Sequence, residues 1–204
     1  CNYFLEGPLF GLQVLDLSGI KIHMYQYMRL SEALRNHAAL KDVRLADTGL
    51  GSYAGEGVIP NLMSNRRIEA LDISWNSLDT LGFSTVGQGL ARHQKLKKLA
   101  LANTGSVSDH SVNGSPLLVF LEFLALDKSL TSLDISNNAL NHYAPLVLES
   151  TARQHPNLSS LDLSRNPLGV AGMRSLLRLV ASEGCPNLKD IVIAECTSTK
   201  ELNH

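Results

Sequence analysis

Cysteine is scarce. Cys1, Cys185 and Cys196 are the only three in 204 residues. Three thiols cannot form a disulfide framework, and the count fits a reducing compartment, so the expected location is cytoplasmic. An excess of charge of either sign is also missing. Eighteen basic residues face nineteen acidic ones, a net charge of −1, which gives no electrostatic drive toward nucleic acid or an anionic membrane. Long apolar runs are absent as well. The densest, Leu117 to Leu126, spans about ten residues and contains Glu122, whereas a spanning helix needs roughly twenty. No signal-like apolar segment is visible. The chain opens at Cys1 without a methionine, which reads as a fragment boundary. The two N-x-S triplets, at Asn113 and Asn157, are short enough to arise by chance. What is present is 44% hydrophobic residues against 18% charged ones, enough to build a core and too apolar for a disordered chain.

A repeat organises that apolar content. Seven segments fit L-x-x-L-x-L, beginning at Leu12, Leu40, Ile68, Leu96, Leu130, Leu158 and Leu188, spaced 28, 28, 28, 34, 28 and 30 residues apart. Eighteen residues after the first position come Leu30, Val58, Val86, Leu148 and Leu176; four further on come Leu34, Leu62, Leu90, Ala152 and Val180. Apolar residues at i and i+4 share one helix face. The fourth repeat supplies Phe120 and Leu124, six residues late. Its extra length therefore falls in a polar, turn-rich insertion at 105–115, with Pro116 placed to start a helix. Each repeat is a strand, a turn and a helix. The expected fold is α/β: a curved leucine-rich repeat solenoid of the ribonuclease-inhibitor-like subclass, one domain over residues 1–204, with a parallel inner sheet and outer helices. Tyr3, Phe4, Leu5 and Leu9 read as the end of an earlier repeat's helix, and the polar tail 197–204 leaves the last strand without a covering helix. The chain is therefore expected to be a piece of a longer solenoid.

The residues that invite a chemical reading mostly have a structural one. The ninth position holds Ile20, Thr48, Asn76, Thr104, Asn138, Asn166 and Cys196, a ladder expected to satisfy the backbone of neighbouring coils. His37, His93 and His155 each stand three residues before a first leucine, with Asn65 and Cys185 in the equivalent place. There they can bond the last carbonyls of a helix. His23, His110 and His142 lie in other turns, without a cysteine or carboxylate cluster, and Cys185 and Cys196 have no second pair. No metal site, cofactor, catalytic residue or small-molecule substrate is expected, and no nucleophile-elbow, zinc-protease or P-loop pattern occurs. The chain reads as a non-enzyme.

Side chains between the repeat leucines point away from the core. The fifth position reads Asp16, Arg44, Asp72, Ala100, Asp134, Asp162 and Val192; the seventh reads Ser18, Ala46, Ser74, Ala102, Ser136, Ser164 and Ala194. An acidic stripe on the inner sheet can meet a basic partner; the same residues can also simply solvate or bond the sheet surface. Arg66, Arg67, Lys95, Lys97 and Lys98 read together as a basic patch on the turn side. Trp75, the only tryptophan, stands at a strand exit and belongs to a residue type enriched at interface centres. The candidate partner-binding residues are Asp16, Arg44, Asp72, Trp75, Asp134, Asp162 and Arg165.

The stretches Leu34–Val43, Ile68–Leu78 and Leu96–Leu101, followed by a lengthened repeat and then Leu130–Asn138, resemble the solenoid of the CARMIL proteins, the linker family of capping protein, actin nucleator and myosin-I. The lengthened repeat after a Leu-Ala-Leu strand is the most specific point of likeness. The resemblance implies a protein-binding scaffold from a cytoplasmic regulator of actin assembly and capping protein, with protein partners drawn from that system. Neither the membrane-binding domain that precedes the solenoid in that family nor the capping-protein-binding tail that follows it is present in these residues. Two other readings stand beside it: a recognition solenoid like ribonuclease inhibitor or the sensing arm of an innate-immune receptor, and an effector acting on a GTPase.

Overall fold

The alternation of apolar and polar residues in each L-x-x-L-x-L segment produces a three-residue strand whose middle side chain enters the core. The computed structural model describes residues 10–105, 115–153, 155–181 and 187–196. Within them seven strands form one parallel sheet in sequence order: β1 (Val14–Asp16), β2 (Asp42–Arg44), β3 (Ala70–Asp72), β4 (Lys98–Ala100), β5 (Ser132–Asp134), β6 (Ser160–Asp162) and β7 (Asp190–Val192). Register follows the repeat: Leu15, Val43, Leu71, Leu99, Leu133, Leu161 and Ile191 stand in one row. Six helices lie between the strands: α1 (Met24–Arg35), α2 (Val58–Ser64), α3 (Thr80–Arg92), α4 (Leu117–Phe123), α5 (Tyr143–Thr151) and α6 (Gly169–Ala181). A 3-10 turn at Ser52–Gly55 precedes α2. Each helix packs on the next. Strands repeat at about 4.8 Å while packed helices need roughly 8–10 Å, so the sheet takes the inner arc and the helices the outer one.

One apolar core runs the length of the array. The strand-row residues from Val43 to Leu161 are buried, as are the first leucines from Leu40 to Leu158 and the helix pairs Val58/Leu62, Val86/Leu90, Phe120/Leu124 and Leu148/Ala152. The sixth helix departs from this rule. Leu176 and Leu179 are buried, and Val180, expected on the core face, is 58% exposed. No described helix packs on the outer side of α6, so Leu177 and Val180 lie open there. Glycine permits close helix contact in the middle of the array. A Cβ on Gly87 would meet the Phe123 ring at 2.3 Å, and one on Gly89 would meet Met63 at 2.6 Å. In the lengthened repeat, residues 106–114 lie outside the described residues. Before the gap Gly105 bridges to Leu78, and after it Pro116 stands immediately before α4. The segments 1–9 and 197–204 also lie outside the described residues.

Two polar ladders run through the core. The ninth-position ladder forms as its chemistry demands. The Asn76 side-chain oxygen accepts from the amides of Thr48, Gly49 and Leu50, while its amide group donates to the carbonyls of Leu45 and Ile73. Asn138 does the same for Thr104 and Gly105, and Asn166 for Asn138 and Leu140. Cys196 ends the ladder, its buried thiol lying 3.1 Å from the Leu163 carbonyl. Ile20 is exposed and takes no part.

The second ladder runs under the helix exits and contains a residue the repeat pattern had hidden. Asn65 donates to the Leu34 and His37 carbonyls of the coil before it. His93 Nδ1 accepts the Leu96 amide, which leaves Nε2–H to donate to the Asn65 carbonyl at 3.0 Å. His155 is arranged likewise, its Nδ1 accepting the Leu158 amide, but its Nε2–H donates to the carboxylate of Asp127 at 2.9 Å. Both side chains of that pair are fully buried. Asp127 also accepts from the Ser129 amide and hydroxyl and from the Leu130 amide. Burial pushes its carboxyl pKa up, and the hydrogen bonds from His155, Leu130 and Ser129 outweigh that effect and hold it below the usual value of 3.8.

Candidate functional site

The parallel register sets the side chains of the concave face in two rows. One reads Val14, Asp42, Ala70, Lys98, Ser132, Ser160 and Asp190; the other reads Asp16, Arg44, Asp72, Ala100, Asp134, Asp162 and Val192. Four of the six candidates on the acidic and basic positions share one local device. The carboxylates of Asp16, Asp72, Asp134 and Asp162 each accept the backbone amide of the serine two residues on, at 2.8 to 3.0 Å. The aspartates thereby fix the turn that leaves each strand. For Asp16 the Ser18 amide, then the Ser18 hydroxyl, pulls the carboxyl pKa down.

The stripe is not uniformly acidic. Arg44 forks onto Asp42 at 2.7 and 3.2 Å and approaches Asp16 at 3.7 Å. Solvent screens these exposed pairs; the single charge of Arg44 offsets one of the two carboxylates it meets on the first two strands. Arg44 and Asp42 also line a cavity of about 480 Å³ that runs over β2 to β5, with Asp72, Lys98, Ala100 and Asp134 among its other lining residues. Ala100 stands in register between Asp72 and Asp134. The missing side chain opens a gap, with two half-buried carboxylates separated by two strand spacings, roughly 10 Å. Glu69 is shared by Lys97 at 3.5 Å and Lys41 at 4.0 Å, whereas Lys98 forms no ion pair among the described residues. The structure thus divides the basic patch expected on the turn side. Lys98 lies within β4 and lines the concave cavity, and Arg66 and Lys95 line a different one at the strand entry. The odd position of Lys98 in its strand is the physical reason, since alternation turns it to the inner face.

Trp75 and Arg165 lie one turn beyond the strands. The same position holds Gly19, Asp47, Trp75, Asn103, Asn137, Arg165 and Glu195, and all seven have positive φ, from 51 to 78°. Glycine, asparagine and aspartate enter this left-handed region readily, whereas a bulky residue there is an outlier. Trp75 adopts φ 57° and leaves 54% of its surface exposed. Its side chain has no sequence-local reason to be there. Arg165 pairs with the exposed Glu195 of the next coil at 3.3 Å.

Of the other residues considered for chemistry, His93 and His155 belong to the buried ladder and His37 is buried. His23 and His142 stand at the starts of α1 and α5. Cys1, His110, Asn113 and Cys185 lie outside the described residues. The side-chain amide of Asn157 donates to the Lys128 carbonyl at 2.6 Å. Among the described residues no group of three metal-ligating side chains converges, and no helix is long and apolar enough to cross a membrane.

The architecture agrees with what the chain is similar to. The family model described as Leucine Rich repeat matches residues 154–177. A leucine-rich repeat-containing protein 45 of Gallus gallus is 28% identical over 68% of this chain and 20% of its own length. NACHT, LRR and PYD domains-containing protein 12 of Homo sapiens is 34% identical over 64% of this chain and 12% of its own length. The chain thus spans a fifth or less of these relatives. Among solved structures, the tropomodulin C-terminal domain of Caenorhabditis elegans covers 74% of this chain and 87% of its own at 16% identity and TM-score 0.58. An internalin of Listeria monocytogenes covers 96% of this chain and 46% of its own at 18% identity and TM-score 0.57. Fold, repeat and relatives together define the class: a curved leucine-rich repeat solenoid.

Proposed function

We propose that this chain is a non-enzymatic scaffold that holds a protein partner on its concave face, in the cytoplasm and in the regulation of actin assembly. The observation that carries the binding reading is the gap at Ala100. A basic side chain of a partner entering above it meets Asp72 and Asp134 from both sides, while Trp75, at the exit of β3, offers exposed aromatic surface beside the same strands. Half-buried carboxylates are stronger partners than the exposed pairs at Arg44, because screening falls with burial. The actin reading rests on the sequence resemblance to the CARMIL solenoid. A solved leiomodin-1 structure titled for its actin-binding site 2 has this fold, at TM-score 0.53 and 18% identity. That likeness supplies the fold alone. A second reading, a recognition arm in an innate-immune receptor, draws on the 34% identity to the human NACHT, LRR and PYD protein.

The test is direct binding of the chain to actin and to purified capping protein, compared with the variant Ala100→Arg. The introduced guanidinium fills the gap and pairs with Asp72 and Asp134, leaving the buried residues of β4 in place. The proposal expects saturable binding to one of the two, lost in the variant. Binding that survives the plug removes the concave face from the account, and no binding to either protein removes the actin reading.

A further inference from the structure

At the opposite end of the strands from Trp75, three cations converge without a counter-ion. Arg66, Arg92 and Lys95, with Gln94, line a cavity of about 300 Å³ where α3 runs into β4. Among the described residues none of the three cations forms an ion pair and no carboxylate lines the cavity. A cation at a helix C-terminus compensates the negative end of the dipole, and Arg66 already serves there by donating to the Arg92 carbonyl. Arg92 stands in the last turn of the same helix and serves the dipole as well, which leaves the charge of Lys95 without a role in the fold. Burial lowers the pKa of the neighbouring His93, opposed by the hydrogen bond to the Asn65 carbonyl and by Asp127 and aided by the charge of Arg66. From the same two arginines a groove of about 240 Å³ continues between α2 and α3, past Met63, Ser64, Thr85 and Gln88.

We infer that Arg66, Arg92 and Lys95 form a binding site for a phosphoserine or phosphothreonine carried on an extended segment of a protein partner. A phosphate monoester brings a charge of about −1.5 to −2 and three acceptor oxygens. That charge matches three unpaired cations better than a single carboxylate does. Arginine forks suit its geometry, and charge-assisted hydrogen bonds of this kind are about twice as strong as neutral ones. The groove between α2 and α3 favours a peptide over a membrane surface, because it gives the residues beside the phosphate a mixed polar and apolar bed. The site is separate from the concave face and does not depend on the actin reading.

The experiment is fluorescence anisotropy with a pool of labelled phosphoserine peptides randomised at the flanking positions, against the same pool after phosphatase treatment. The wild type is expected to bind the phosphorylated pool saturably and the treated pool roughly tenfold more weakly or worse, as the loss of a charged hydrogen-bond partner implies. Lys95→Glu, a change at an exposed side chain, and Arg66→Gln should each weaken binding by a similar factor. An unchanged melting temperature separates that loss from misfolding. Equal binding of the two pools overturns the inference, and so does phosphopeptide binding that ignores both substitutions. Absence of saturable binding overturns it too, as does sedimentation with phosphatidylinositol bisphosphate vesicles through Arg66 and Lys95 while the phosphopeptides stay unbound.

Discussion

Replacing Asp127 with alanine should destabilise the solenoid by about 2–6 kcal/mol, from two buried donors left without an acceptor at about 1–3 kcal/mol each. The structure accounts for the size. The carboxylate receives four hydrogen bonds at 2.9 to 3.0 Å, two from Ser129, one from Leu130 and one from His155. Without it the Leu130 amide and the His155 Nε2–H are left buried without acceptors. His155 cannot turn its other nitrogen to the task, since Nδ1 already accepts the Leu158 amide. Asp127→Asn should cost less, about 1–3 kcal/mol: the amide oxygen still accepts from the Ser129 amide and hydroxyl, and its NH₂ faces the Leu130 and His155 N–H groups. The assay is urea unfolding followed by far-ultraviolet circular dichroism, with the double variant Asp127→Ala/His155→Ala closing the cycle. The double loss should fall short of the sum of the single losses. The pH dependence has a definite sign. The folded-state pKa lies below the ordinary 3.8, so the contribution is complete above that unfolded value and is lost as pH falls through the folded one. The gap between wild type and Asp127→Asn should therefore be full at about pH 5 and shrink below pH 4. A loss under about 1 kcal/mol for Asp127→Ala, or additive single losses, would refute the reasoning.

Leu99→Ala, in the middle of the strand row and 2% exposed, should lose about 2–5 kcal/mol in the same assay; a loss below about 1 kcal/mol contradicts its burial. Trp75→Asn should stabilise the chain by about 0.5–1 kcal/mol, because asparagine tolerates the left-handed backbone that tryptophan resists, while weakening partner binding. Lower stability with unchanged binding would make Trp75 a packing residue. His93 is held below its ordinary 6.5, mainly by burial, so its contribution is present above that value and is lost as pH falls toward the folded one. Wild type should lose more stability than His93→Asn between about pH 7 and pH 5, and parallel curves would exclude a buried neutral ring.

The repeat made most of the architecture readable because each coil restates the same constraints. Leu15, Val43 and Leu71 fall in one row since the spacing is 28 residues, and Asn76, Asn138 and Asn166 take the same bonds because each faces the same orphan amides. What was hidden lies where a coil departs from the pattern. Asp127 stands three residues before Leu130, in the position that carries histidine in three other coils. A carboxylate there looks like a solvated turn residue until the ring of His155 in the next coil is seen against it. Val180 matches the helix rule by spacing, but its burial depends on a neighbouring helix, which spacing does not encode. Lys98 was grouped with Arg66 and Lys95 by proximity in sequence, although strand alternation turns it to the concave face. The Asp-Leu-Ser motif was visible as a stripe. That its carboxylates bond the serine amides, and that Ala100 breaks the stripe into a gap between two of them, follow from the register between strands. The left-handed backbone of Trp75 was foreshadowed by glycine, aspartate and asparagine at the same position in other coils.

The concave-face claim is tested most directly at Trp75. As the only tryptophan, it can be replaced by 5-fluorotryptophan to give one fluorine resonance at the exit of β3. On titration with actin or capping protein, that resonance should shift or broaden saturably in the otherwise wild-type chain and stay fixed in Ala100→Arg. A resonance that does not move while the protein binds by an independent measurement would place the partner elsewhere on the solenoid.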